Sequence, residues 1–236
     1  MRPTIVLVHG AFAESASWDG VIDPLLDAGH SVIAAANPLR SVKSDAAAVS
    51  DVVRAIDGPV VIAAHSYGGM VMSNVDPGAG EIIGLVYVAA FAPEPGDSAF
   101  SLAGMFPGST LGDAVQPTPR GDGTTDLSIV QERFHEQFCA DLPEWKARRM
   151  AATQRPATLE ALQEASGEPL WKQVPSWFVF GEEDRNIPAA LERYMATRAG
   201  ARRTIEIPGA SHAVSVAHPE ATAALIREAA ALNVAV

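Results

Sequence analysis

Six consecutive residues, Ala64-His65-Ser66-Tyr67-Gly68-Gly69, stand directly after the apolar run PVVIAA and directly before a second apolar run. A serine hydroxyl is a weak nucleophile until a base takes its proton, and a sharp strand-to-helix turn is one way to hold it clear of a sheet for acyl transfer. Small residues must flank such a turn, because a side chain there collides with neighbouring backbone. Ala64 fills the first small position, where glycine is more usual. A serine that only caps the following helix would explain the string alone, but not its strand-turn-helix setting.

His9-Gly10-Ala11-Phe12 ends another apolar run, so parallel strands would bring it to the same sheet edge as Ser66. The backbone N–H groups of Ala11 and Tyr67 would then form an oxyanion hole for a tetrahedral intermediate, each such donor being worth about 3 kcal/mol in the barrier. Gly10 as a mere turn former is the plainer alternative. The base must come from another loop at that edge, and Gly209-Ala210-Ser211-His212 supplies it after the last apolar run. His9 and His65 are tied to strand ends and read as packing beneath the site. His30 precedes a strand at the opposite edge, and His218 starts a helix.

The acid that orients an imidazole is expected at Asp184, in FGEEDRNIP, with Glu183 and Asp97 as alternatives. A base must be neutral to accept a proton, so kcat/KM is expected to rise with pH across the histidine range.

The elements that must position these residues follow from periodicity. Short β-branched runs at residues 4–8, 31–36, 59–64, 82–88, 177–180 and 204–207 alternate with helical segments at 18–28, 43–56, 67–75, 189–199 and 219–232. That alternation predicts an α/β fold in which a parallel sheet is covered by helices, and near-continuous apolar runs predict strands buried on both faces. Gly29, Gly58 and Gly200 are read as left-handed helix ends. The rhythm breaks over approximately 92–174, where a Pro/Gly/Ser/Thr-rich stretch precedes helical segments near 129–139 and 143–153. An excursion of that length inside one domain, residues 1–236, is expected to be a cap or lid over the site. Phe12, Met105, Phe134, His135 and Trp171 are its expected substrate contacts, with Phe106, Phe138, Trp145 and Leu170 as further apolar candidates for the lining.

Composition bounds the rest. A hydrophobic fraction of 48% and a charged fraction of 19% describe a chain able to bury a core, and a formal charge of −11 without a basic run disfavours nucleic acid and anionic membrane as partners. The opening MRPTIVLVHG lacks the regions of a signal peptide, and no apolar stretch approaches the roughly 20 residues of a membrane span. One cysteine, Cys139, leaves no intrachain disulfide and no cysteine-based zinc cluster, and fits a reducing, cytoplasmic setting. No metal or cofactor is implied. A nucleotide-binding oxidoreductase would need a G-x-G-x-x-G turn where HGAF stands.

With HGAF at 9–12, Trp18 beyond it, HSYGG at 65–69, YVAAFAPEPG at 87–96, GEEDRNIP at 181–188 and SHAVSVAHP at 211–219, the chain resembles the α/β-hydrolase superfamily along nearly its whole length. It looks most like the branch of plant methylesterases, hydroxynitrile lyases and small bacterial esterases. The order Ser66, Asp184, His212 matches that superfamily. The resemblance implies an α/β-hydrolase fold of about six mostly parallel strands with a helical cap, the chain beginning at the strand many relatives place third. Hydroxynitrile lyases of the branch carry a lysine directly after the catalytic histidine and a threonine directly after the oxyanion-loop histidine. Ala213 and Gly10 stand there instead, which points away from cyanide release. A haloalkane dehalogenase would need an aspartate in place of Ser66.

The expected activity is hydrolysis of a small carboxylic ester through an acyl-enzyme, with Ser66 as nucleophile, His212 as base and Asp184 as acid. Lactone opening or carbon-carbon bond hydrolysis would use the same groups, and a non-catalytic ligand receptor would keep them without turnover. Either a monomer or a homodimer fits the acidic surface.

Overall fold

Each of the six apolar runs forms a strand, and the strands lie side by side in one parallel sheet. The computed structural model describes residues 2–233. In chain order the elements are β1 (Thr4–Val8), α1 (Asp19–Asp27), β2 (Val32–Ala35), α2 (Val42–Arg54), β3 (Pro59–Ser66), α3 (Gly68–Ser73) and β4 (Glu81–Ala90). Next come α4 (Ala99–Ala103), α5 (Leu111–Ala114), β5 (Val115–Pro119), β6 (Thr125–Ile129), α6 (Gln131–Phe138), α7 (Glu144–Thr153), β7 (Ala157–Thr158) and α8 (Leu159–Gln163). The chain then returns through β8 (Ser176–Gly181), α9 (Ala189–Arg198), β9 (Arg203–Ile207), α10 (Val214–Ala217) and α11 (Pro219–Ala230).

The sheet runs β2-β1-β3-β4-β8-β9, and every neighbouring pair is parallel. All carboxyl ends therefore open on one edge. The order reverses at β1, which places the loops after β1 and β3 next to each other at the switch point where such sheets bind ligands. The central strands β1, β3, β4 and β8 are buried almost throughout. The outer strands β2 and β9 are half exposed, because an edge strand lacks a neighbour on one side. Tyr87 of β4 stacks on Phe178 of β8 at 4.6 Å between ring centroids. Helices α1, α10 and α11 pack together against the sheet, and α2 packs with α3.

Helix boundaries follow local chemistry. Ser41 caps α2 by accepting the Ser44 N–H at 3.0 Å, and Pro219 opens α11, where a missing N–H costs nothing. Gly29 and Gly200 follow the ends of α1 and α9 with φ of 81° and 59°. Gly58 (φ 95°) lies further on, in the turn into β3.

Between β4 and β8 the chain is less helical than expected. It contains a three-stranded antiparallel sheet, β5-β6-β7, besides five α-helices and a short 3-10 helix at Leu170–Lys172. Pro117 and Pro119 obscured β5 in the sequence; they are tolerated because β5 is an edge strand. Its turn into β6 is closed by Asp122, which accepts the Thr124 N–H at 3.0 Å, and by Gly123 at φ 88°. Among the described residues no helix is long and apolar enough to cross a membrane.

Candidate active site

Ser66 ends β3 with φ at 56°, a left-handed conformation that is strained for a residue with a side chain. The strain is held by close backbone approach around it. A Cβ on Gly69 would lie 2.2 Å from the Phe91 carbonyl oxygen, and one on Gly10 would lie 2.6 Å from Ser66 Cβ. Neither position admits a side chain, so the loops after β1, β3 and β4 meet at Ser66.

The His212 imidazole is fully buried and its Nδ1–H donates to Asp184 Oδ2 at 2.6 Å. Asp184 Oδ1 accepts the Asn186 and Ile187 N–H groups at 2.7 and 2.9 Å. That turn aims the carboxylate inward, while Glu183 is exposed. Asp97 is engaged elsewhere, with the Glu94 N–H and Arg198. Because Nδ1 carries the proton, Nε2 of His212 is the basic nitrogen. It has no hydrogen-bond partner, and no hydrogen bond joins it to Ser66 Oγ. Bonds of this kind often tighten only around substrate.

Two further histidines brace the site from beneath. His65 Nε2 donates to the His212 carbonyl at 3.0 Å. Burial first, and then the neighbouring His212, hold the His65 imidazole well below its ordinary pKa, so it stays neutral. His9 Nε2 accepts the Asn37 N–H at 3.1 Å and its Nδ1 lies 3.0 Å from the Gly10 carbonyl. Burial is the main cause of its lowered pKa. Phe138 meets the His212 ring edge-on at 5.0 Å, and Phe134 stacks on Phe138.

The β4–β8 segment is tied to the loops after β1 and β2. The Phe12 N–H donates to the Arg155 carbonyl at 3.0 Å. The Arg40 guanidinium reaches the Pro156 carbonyl and Asp126, each at 2.7 Å. The Arg40 N–H in turn donates to Asp45, which also accepts the Tyr67 hydroxyl at 3.0 Å. Thr158 adds bonds to the Leu39 and Arg40 carbonyls.

Ser66 opens on a cavity of about 330 Å³ with no charged residue in its lining. Ala11, Phe12 and Tyr67 stand on the sheet side; Leu111, Leu127, Leu159 and Leu162 come from the β4–β8 segment. Of the five expected substrate contacts, only Phe12 lines it. Met105 is exposed, and Phe134 is buried among aromatic rings. The His135 ring is turned to the Leu142 carbonyl, and the Trp171 indole N–H to the Pro93 carbonyl. The leucines were missed because aliphatic residues in short elements look alike in sequence, although Leu159 and Leu162 have the i, i+3 spacing of a one-sided helix. Among the described residues no group of three or more His, Cys, Asp or Glu side chains is arranged to hold a metal ion.

Comparison with known proteins agrees with this architecture. A pyrethroid hydrolase of Sphingobium wenxiniae is 27% identical over 246 residues, covering 95% of this chain and 86% of that protein. The crystal structure of polyneuridine aldehyde esterase superposes with a TM-score of 0.81 at 20% identity, covering 97% of this chain and 99% of that one. A methylesterase from Arabidopsis gives 0.77 at 16% identity, covering 96% and 98%. The model of the Alpha/beta hydrolase family matches residues 5–225, nearly the whole chain, and the protein belongs to that family.

Proposed function

We propose that the protein hydrolyses small, uncharged carboxylic esters through an acyl-enzyme on Ser66. The observation that carries this reading is the buried His212–Asp184 pair, whose 2.6 Å hydrogen bond leaves Nε2 as the proton acceptor, together with a strained serine in the lining of a cavity without charged residues. Names among the similar proteins, a pyrethroid hydrolase and a carbendazim hydrolyzing esterase from Nocardioides (35% identical over 113 residues, 41% of this chain and 46% of that one), support the same class of reaction.

In the proposed cycle Ser66 Oγ adds to the ester carbonyl carbon while its proton passes to His212 Nε2. Asp184 stabilises the imidazolium. The oxyanion is met by the N–H groups of Ala11 and Tyr67; the next amide, that of Phe12, is already spent on Arg155. Collapse of the intermediate breaks the carbonyl–alkoxy bond, and Nε2 returns the proton to the departing alcohol. Water then adds to the acyl-enzyme with the same histidine as base, releasing the acid and restoring Ser66. In this reading residues 92–174 act as a cap that excludes bulk water and sets the shape of the acyl or alcohol site.

The test is a burst-phase assay with p-nitrophenyl acetate and butyrate, comparing wild type with Ser66→Ala and His212→Ala. Steady turnover is expected in the wild type and lost in both variants. Turnover that survives Ser66→Ala overturns the assignment of the nucleophile.

A further inference from the structure

Phe12 borders two cavities. One is the cavity of about 330 Å³ that contains Ser66. The other, of about 390 Å³, lies between the loop after β1 and one side of α7; its lining joins the apolar Met150 and Val216 to the charged Glu14, Asp19, Lys146 and Arg149. Phe12 belongs to both linings. It is almost wholly buried, its φ is 61°, and its N–H is pinned to the Arg155 carbonyl. A large side chain held at a positive φ persists only where the surroundings over-determine it. Here the hydrogen bond to Arg155, at the far end of α7, supplies that hold.

Resting on the reading of Ser66 as nucleophile, we propose that Phe12 is the partition between these cavities and the residue that sets the upper size limit of the ester. The catalytic cavity lies at the small end of the range for small-molecule sites, roughly 300 to 1,000 Å³. It suits a short acyl or alcohol group. Because Phe12 lines both cavities, truncating its ring is expected to open the space reached from Ser66 into the second cavity. Met150 and Val216 give it an apolar portion, beside its charged residues. A hydrocarbon chain entering past position 12 would bury apolar surface against these two side chains. Alanine keeps a Cβ at this φ, so the backbone is no more strained in Phe12→Ala than in the wild type.

The decisive experiment compares kcat/KM for p-nitrophenyl butyrate and decanoate in wild type, Phe12→Ala, Phe12→Leu and Phe12→Ala/Met150→Trp. The decanoate-to-butyrate ratio cancels any general loss from disturbing the adjacent Ala11 amide. It is expected to rise at least tenfold in Phe12→Ala and less in Phe12→Leu. It should return towards the wild-type value when tryptophan refills the second cavity. An unchanged ratio in both Phe12 variants, or a gain that survives Met150→Trp, overturns the proposal.

Absence of Ser66-dependent turnover on every ester would instead be a failure of the hydrolase reading. Crystals of wild type and Phe12→Ala soaked in decanoic acid then judge the partition independently. A chain running towards Met150 only in the variant supports it, and the same chain position in both proteins overturns it.

Discussion

The hydroxyl of Tyr67, the residue directly after the proposed nucleophile, donates to Asp45 Oδ2 across 3.0 Å. Asp45 is fully buried on α2 and is also held by the Arg40 N–H, while the Arg40 side chain grips Asp126 and the Pro156 carbonyl. The position of the Tyr67 amide is thereby linked to the docking of the β4–β8 segment.

Tyr67→Phe removes this one bond and leaves Asp45 its other donors, so a stability loss of about 1 kcal/mol is expected on urea denaturation. If the Tyr67 amide serves the oxyanion, kcat falls several-fold with KM nearly unchanged. A raised KM at constant kcat would assign Tyr67 to substrate binding instead.

Asp184→Asn preserves the size of the side chain and an oxygen for the Asn186 and Ile187 amides, so the melting temperature should move little. It removes the acceptor for His212 Nδ1–H and turns the imidazole to the wrong tautomer. Loss of kcat by a factor on the order of 10⁴ is expected from steady-state assays. A loss under tenfold would return the acid role to Glu183 or Asp97.

Glu192 on α9 is fully buried. Burial first, and then the negative charge of Asp184, raise its pKa well above the ordinary value of 4.5, and a backbone contact at Ala90 only partly offsets them. Above pH 4.5 the unfolded chain gives up this proton while the fold retains it, so the fold binds more protons and its stability falls as pH rises. Glu192→Gln abolishes that decline. Thermal melts should show little difference at pH 4 and a growing advantage for the variant towards pH 8, bounded by about 1.4 kcal/mol per pH unit. A constant offset across the range would refute it.

Cys139 closes α6 as the single thiol of the chain. Burial, and then Asp141, push its pKa up to about 12, so the thiolate that reacts with alkylating agents is nearly absent at neutral pH. Iodoacetamide should label it only after denaturation, and Cys139→Ser should retain esterase activity. Rapid labelling of the native protein accompanied by inactivation would contradict both expectations.

What the sequence determined by itself was local. The six strands were legible because buried parallel strands need unbroken apolar runs. The turn at Ser66 was legible because its backbone tolerates only small neighbours at Gly68 and Gly69. The three carboxylates that compete for the acid role were also in view, but their separation required the fold. Asp184 faces inward because two amides of its own turn hold it, whereas Glu183 points to solvent.

The lining of the cavity beside Ser66 was decided by tertiary structure alone. Phe134 and Leu127 are both apolar residues of the same segment, yet the first stacks on Phe138 beneath His212 and the second lines the cavity. Hydrophobic burial is non-directional, so composition states that such side chains leave water and is silent on which surface they meet. That choice falls to the packing of β5–β7 and α4–α8 over the sheet edge, through contacts between residues far apart in the chain.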